Sequence, residues 1–123
     1  MDYFSSFRDE IKYILQCGWR VKGKNKNSLT LLYRNGMEIT IKYFNGRYIL
    51  EGYLLSSEQV NVDILTKTEQ DLYISKLHFD ARSWGYGIIA CTEIHEDISG
   101  DEFLNRIGHF TYDLSLLAGD LEK

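Results

Sequence analysis

Met37-Glu38-Ile39-Thr40-Ile41-Lys42-Tyr43-Phe44-Asn45-Gly46-Arg47-Tyr48-Ile49-Leu50 is the stretch that decides the fold. Apolar Met37, Ile39, Ile41 and Tyr43 alternate with polar Glu38, Thr40 and Lys42, the period of a strand with one buried face. Asn45-Gly46 follows. Both residues tolerate positive φ, so a two-residue turn reverses the chain there. Pairing Phe44 with Arg47 then sets Tyr48 and Leu50 beside Tyr43 and Ile41, and a hairpin with one apolar face results.

Upstream, Asn35-Gly36 is a second turn signal. A two-residue loop there would pair Arg34 with Met37 and turn Leu29, Leu31 and Tyr33 toward Lys42, Thr40 and Glu38. A three-residue loop with Gly36 as the bulge pairs Tyr33 with Met37 and keeps the apolar faces together, so a three-stranded antiparallel meander is expected. Earlier still, Phe4, Phe7, Ile11 and Ile14 recur at helical spacing with Arg8, Asp9 and Lys12 opposite. Gly18 suits the left-handed position that ends a helix, which places a helix from about Tyr3 to Cys17. Between helix and meander, Arg20, Lys22, Lys24 and Lys26 alternate beside Trp19. This basic run reads as a solvated loop or an edge strand guarded by lysines. As a phosphate-tracking stretch with a stacking indole it is opposed by the negative total charge and by the lack of an RNA-binding signature.

Downstream, Ser56 to Asp71 is compatible with a short helix through Val60, Ile64 and Leu65. Two more strands are expected, about Leu72 to Phe79 and Trp84 to Thr92, joined through Asp80-Ala81-Arg82-Ser83. Gly85 and Gly87 there mark a bulge or a close backbone approach. Ser99-Gly100-Asp101-Glu102 has the form of a capping box, with carboxylates where the helix dipole favours them. Phe103, Ile107, Phe110, Leu114, Leu117 and Leu121 then recur at intervals of 4, 3, 4, 3 and 4. That spacing makes an amphipathic helix of about five turns. Its seam is short for a coiled coil, so it is expected on the sheet, with a homodimer left open. The fold class is α+β: an antiparallel five-stranded sheet flanked by N- and C-terminal helices, in the order α-β-β-β-(α)-β-β-α, as a single domain over residues 1–123.

Composition bounds the rest. With 44% hydrophobic and 26% charged residues the chain is ordinary for a soluble globular protein. No apolar run reaches the roughly 20 residues of a membrane span, and Met1-Asp2-Tyr3-Phe4 lacks the basic region and apolar core of a secretory signal. A cytoplasmic protein without membrane association is expected, with Cys17 and Cys91 as buried thiols. Charge is divided unevenly. Residues 1–50 hold nine Lys/Arg against four Asp/Glu, and residues 51–123 hold five against fourteen. An acidic second half draws cationic proteins and repels phosphate backbones, which favours a basic protein partner over nucleic acid.

The element order resembles the type III secretion chaperone-like fold shared with YbjN-type proteins. The resemblance is carried by residues 77–121: a strand ending in Phe79-Asp80, a turn, the strand Gly87-Ile88-Ile89-Ala90-Cys91-Thr92-Glu93-Ile94, and the capped helix opening Ile98-Ser99-Gly100-Asp101-Glu102-Phe103-Leu104. It implies a small acidic protein that acts by binding another protein.

Cys91, Glu93 and His95 share one strand face, but Cys91 and His95 would lie about 13 Å apart, too far to share a zinc ion. His78 and Asp80 fail as a metal pair too. His109 and Asp113 are spaced as a surface ion pair. Gly85-Tyr86-Gly87 lacks the third glycine and following helix of a dinucleotide fingerprint. The expectation is a non-enzymatic protein with no cofactor or metal. The candidate site is the acidic strand-to-helix junction: Glu93, Glu96 and Asp97 would clamp cationic side chains of the partner, with Trp84 and Tyr86 as anchors. Asp101 and Glu102 are accounted for by the helix start. Three functions follow in order: an immunity protein that neutralises a cognate toxin, a secretion-type chaperone that binds an effector, and a small nucleic-acid-binding regulator.

Overall fold

Positive φ at Asn45 (50°) and Gly46 (78°) closes the central hairpin as the Asn-Gly pair requires. Around it, a computed structural model describes residues 4–34, 36–56, 67, 69–70, 72, 76–82 and 85–121. The chain opens with a 3₁₀ turn at Ser5–Phe7 and helix α1 at Arg8–Gln16. Six strands follow: β1 (Trp19–Lys24), β2 (Ser28–Tyr33), β3 (Glu38–Phe44), β4 (Arg47–Ser56), β5 (Lys76–Arg82) and β6 (Gly85–His95). Helix α2 (Gly100–Leu121) is last. All pairings are antiparallel, in the order β1-β2-β3-β4-β6-β5.

The meander has the register that side-chain phase demands. Leu29 pairs with Ile41 and Leu31 with Ile39, and Tyr33 N–H donates to the Met37 carbonyl across a loop with Gly36 at φ 93°. Tyr43 pairs with Tyr48 and Ile41 with Leu50. These apolar residues form one sheet face, on which Phe4, Phe7 and Ile14 from the N-terminal segment pack with Phe103, Ile107, Phe110, Leu114 and Leu117 of α2. The α2 seam is therefore used within the chain, 22 residues forming about six turns against β4, β6 and α1. Aromatic rings join the layers. Phe7 stacks on Phe103 at 4.1 Å and 7°, and Tyr48 meets Phe7 edge-on at 5.4 Å. Gly18, at φ 103°, ends α1 as expected.

Four features differ from the expectation. The sheet has a sixth strand, because the basic run is an edge strand: Asn25 N–H donates to the Ser28 carbonyl, and the Asn25 side chain accepts from Asn27 N–H, closing a hairpin onto β2. The last hairpin turns later than read. Asp80 pairs with Gly87 and Arg82 with Gly85 in unbroken register, so only residues 83 and 84 lie between the strands and no bulge occurs at the glycines. Asp113 is no surface residue; it is 0% exposed, since its position between Phe110 and Leu117 turns it toward the sheet. Cys17 is exposed, just past the end of α1, whereas Cys91 is half-buried. The short helix read between Ser56 and Asp71 falls mostly outside the described residues; within that span residues 67, 69 and 70 are described and are helical.

Candidate functional site

The acidic junction comes together at one end of the sheet. β6 runs out at His95, and the following loop is fastened to the β3–β4 hairpin by the Glu96 amide, which donates to the Gly46 carbonyl at 3.0 Å. Each proposed clamp residue already has a partner in the chain. Glu93 accepts from Arg47 Nη1 at 2.9 Å, and Glu96 accepts from the Tyr43 hydroxyl at 2.5 Å. Nδ1 of His95 lies 3.3 Å from the Asp97 amide and 3.4 Å from its carboxylate. A neutral imidazole accepts from the amide there, and a protonated one donates to the carboxylate. The Glu93 and Asp97 side chains remain 56% and 84% exposed. Exposed pairs of this kind contribute about 0.2–1 kcal/mol, so a partner's cations can replace them. Of the two aromatic anchors, Trp84 lies outside the described residues; Tyr86 sits in β6 opposite Ser56 and Ala81.

The start of α2 needs its carboxylates for itself. Ser99 Oγ accepts from the Glu102 amide at 3.2 Å, and Glu102 pairs with Arg106 at 3.0 Å, one turn on. A side chain on Gly100 would collide with the carboxylate of Glu10, which reaches from α1 to the first turn of α2. The positive end of the helix dipole favours that carboxylate.

At the opposite edge of the sheet is a surface that sequence reasoning set aside. β1 pairs only with β2 among the described residues, and five of its six residues are exposed. Its register shifts between Val21 and Gly23, so Lys22 is the extra residue of a bulge and Lys24 swings to the helix side opposite Leu29. Three hollows border this strand. One of about 290 Å³ lies between α1 and β1, walled by Phe4, Ile11, Leu15 and Val21, with Arg8 and Lys24 beside them. A second, about 410 Å³, lies between Trp19, Tyr33, Met37 and the Thr111–Tyr112 turn of α2. The third, about 390 Å³, opens on the other sheet face at Arg20, Leu32 and Arg34. The signal is the alternation of Trp19 and Val21 with Arg20 and Lys22 ahead of a turn rich in Asn; with only two apolar members it leaves an edge strand and a solvated loop as alternatives, and the structure shows the edge strand.

No protein-family model matches the chain. No curated protein matches it in sequence either. Solved structures do match in shape. YbjN from E. coli superposes with a TM-score of 0.69 at 11% identity, covering 94% of this chain and 88% of YbjN. A chain of the HopA1–SchA chaperone–effector complex superposes with a TM-score of 0.68 at 16% identity, covering 98% of this chain and 94% of that one. This chain has the fold these structures share. The likeness read from residues 77–121 thus holds for the whole arrangement of helices and sheet. Among the described residues no helix is long and apolar enough to cross a membrane, and no three His, Cys, Asp or Glu side chains converge as metal ligands would.

Cys91 lies on the open sheet face, where burial raises its thiol above the ordinary value of 9.0, with Glu51, Glu93 and Glu69 adding in that order. A protonated thiol is a poor nucleophile. In the native protein at pH 8, a thiol reagent should label Cys17 first and Cys91 at least about tenfold more slowly, the slow phase vanishing in Cys91→Ser. Equal rates would contradict this placement. Above pH 9.0 the folded thiol keeps a proton that the unfolded thiol loses, so stability should fall as pH rises through that alkaline range and should be unaffected below it.

Proposed function

We propose that this chain is a non-enzymatic, cytoplasmic protein-binding protein that holds an extended segment of a partner along β1, as an effector chaperone does. The observation that carries this is an exposed edge strand bordered by three hollows. An unpaired strand edge offers a row of N–H and C=O groups to an extended peptide, and pockets beside it take alternate side chains. The shared fold with a chain from a chaperone–effector complex supports the reading.

A toxin-neutralising role is the second reading, favoured by the exposure of Glu93 and Asp97 at the other end of the sheet. One experiment separates the two. Co-expressed with the product of each neighbouring gene, the wild-type chain should capture its partner, and Val21→Asp should weaken capture about tenfold or more by placing a charge in the α1–β1 hollow. Val21 is 44% exposed, so this variant should fold. Reversing Glu93, Glu96 and Asp97 to Lys should leave capture by β1 unchanged. The opposite pattern, with the triple reversal abolishing capture and Val21→Asp harmless, would establish the acidic junction as the site.

A further inference from the structure

We propose that the segment accepted by β1 is acidic, with carboxylates alternating with apolar side chains. This rests on the strand-holding reading above and adds the partner's chemistry to it. Arg8, Arg20, Lys22, Lys24, Lys26 and Arg34 place positive charge around the open edge; Lys22 pairs with Glu38 at 3.0 Å, and Arg34 lies over the Tyr33 ring and donates to its hydroxyl at 3.2 Å. The edge carries two devices that prevent promiscuous pairing, a bulge and a row of cations. A second β1 laid antiparallel would set Arg and Lys against Arg and Lys, and like charges directly opposite are destabilising. An acidic strand meets the same row with opposite charge. The cations that exclude a second copy therefore select this occupant.

The hollow between α1 and β1 refines the pattern. Its walls are apolar, at Phe4, Ile11, Leu15 and Val21, and its cations are Arg8 and Lys24. It suits a leucine- or phenylalanine-sized side chain whose strand neighbours are carboxylates. Nucleic acid would satisfy the cations but would leave the apolar walls and the backbone edge unused, so a polypeptide fits better.

The test uses ten-residue labelled peptides with one valine pattern and three alternating partners, Val/Glu, Val/Thr and Val/Lys, together with a ten-nucleotide single-stranded DNA. Anisotropy reports affinity, and amide shifts of residues 19–24 report location. The Val/Glu peptide should bind about tenfold more tightly than Val/Lys at low salt, with Val/Thr between them. The advantage should shrink in 0.5 M salt. Arg8→Glu/Arg20→Glu, both at exposed positions, should reverse the order. Equal affinities for all three peptides, with shifts at residues 19–24, would overturn the acidic preference and leave strand-holding intact. Binding of no peptide would overturn both readings. Binding of the DNA alone, or peptide shifts confined to residues outside 19–24, would also overturn this proposal.

Discussion

Replacing Phe103 with alanine is expected to lower stability by about 3–5 kcal/mol. The ring is fully buried, stacks on Phe7 at 4.1 Å and meets Tyr48 at 6.1 Å, so its loss opens a cavity where α1, α2 and the sheet converge. Phe7 in the 3₁₀ turn and Tyr48 in β4 are held by two separate elements and cannot both collapse into the gap. A domain of this size has about 5–15 kcal/mol in all, so this one substitution removes a large fraction. Urea denaturation would measure it as a fall in midpoint at unchanged slope. Phe103→Leu should retain part of the loss, because much of the volume stays filled. A cost below about 1 kcal/mol for the alanine variant would mean the aromatic cluster does not join the two helices to the sheet.

Gly52 is expected to be the least tolerant position of the central sheet. A Cβ there would lie 2.5 Å from Leu114 Cδ2 and 2.7 Å from Cδ1, inside van der Waals contact, and Leu114 is itself buried at 1% exposure. Gly52→Ala forces the leucine out of place at about 1–3 kcal/mol, and Gly52→Val should prevent α2 from seating. The mechanism has its own signature. Leu114→Ala alone should cost about 2–5 kcal/mol, yet Gly52→Ala/Leu114→Ala should cost distinctly less than the two separately, since the new methyl fills the space the leucine leaves. Additive losses would show that the glycine is needed for some other reason than the approach of α2.

Most of the sheet was legible because strand phase, turn chemistry and capping agree with one another. Gly36 as a bulge was deduced solely from the need to keep Tyr33 opposite Met37, and Tyr33 does bond to Met37. Ser99 was named as a cap from its spacing to Glu102, and its hydroxyl caps that residue. What escaped was information held between elements. β1 has only Trp19 and Val21 as apolar residues on its helix side, so its identity as a strand comes from pairing with β2 rather than from its own pattern. The contact of Gly52 with Leu114 and that of Gly100 with Glu10 join residues 62 and 90 positions apart. Nothing local announces such contacts. For the same reason the acidic junction looked free in one dimension, although Arg47 and Tyr43 arrive from the hairpin to meet Glu93 and Glu96.

The order of elements also sets a timetable for synthesis. β4 ends at Ser56, when the meander can already form, but the helix that covers its apolar face begins only at Gly100. Ile39, Ile41 and Leu50 must wait for Phe103, Phe110 and Leu114 to be translated, about 50 residues later. At roughly 5–20 residues per second that is an interval of about 3–10 s in which the β1–β4 meander has part of its apolar face uncovered. During that interval the growing chain depends on whatever else in the cell shields apolar surface, and a ribosome stall anywhere from residue 57 to 102 would prolong it.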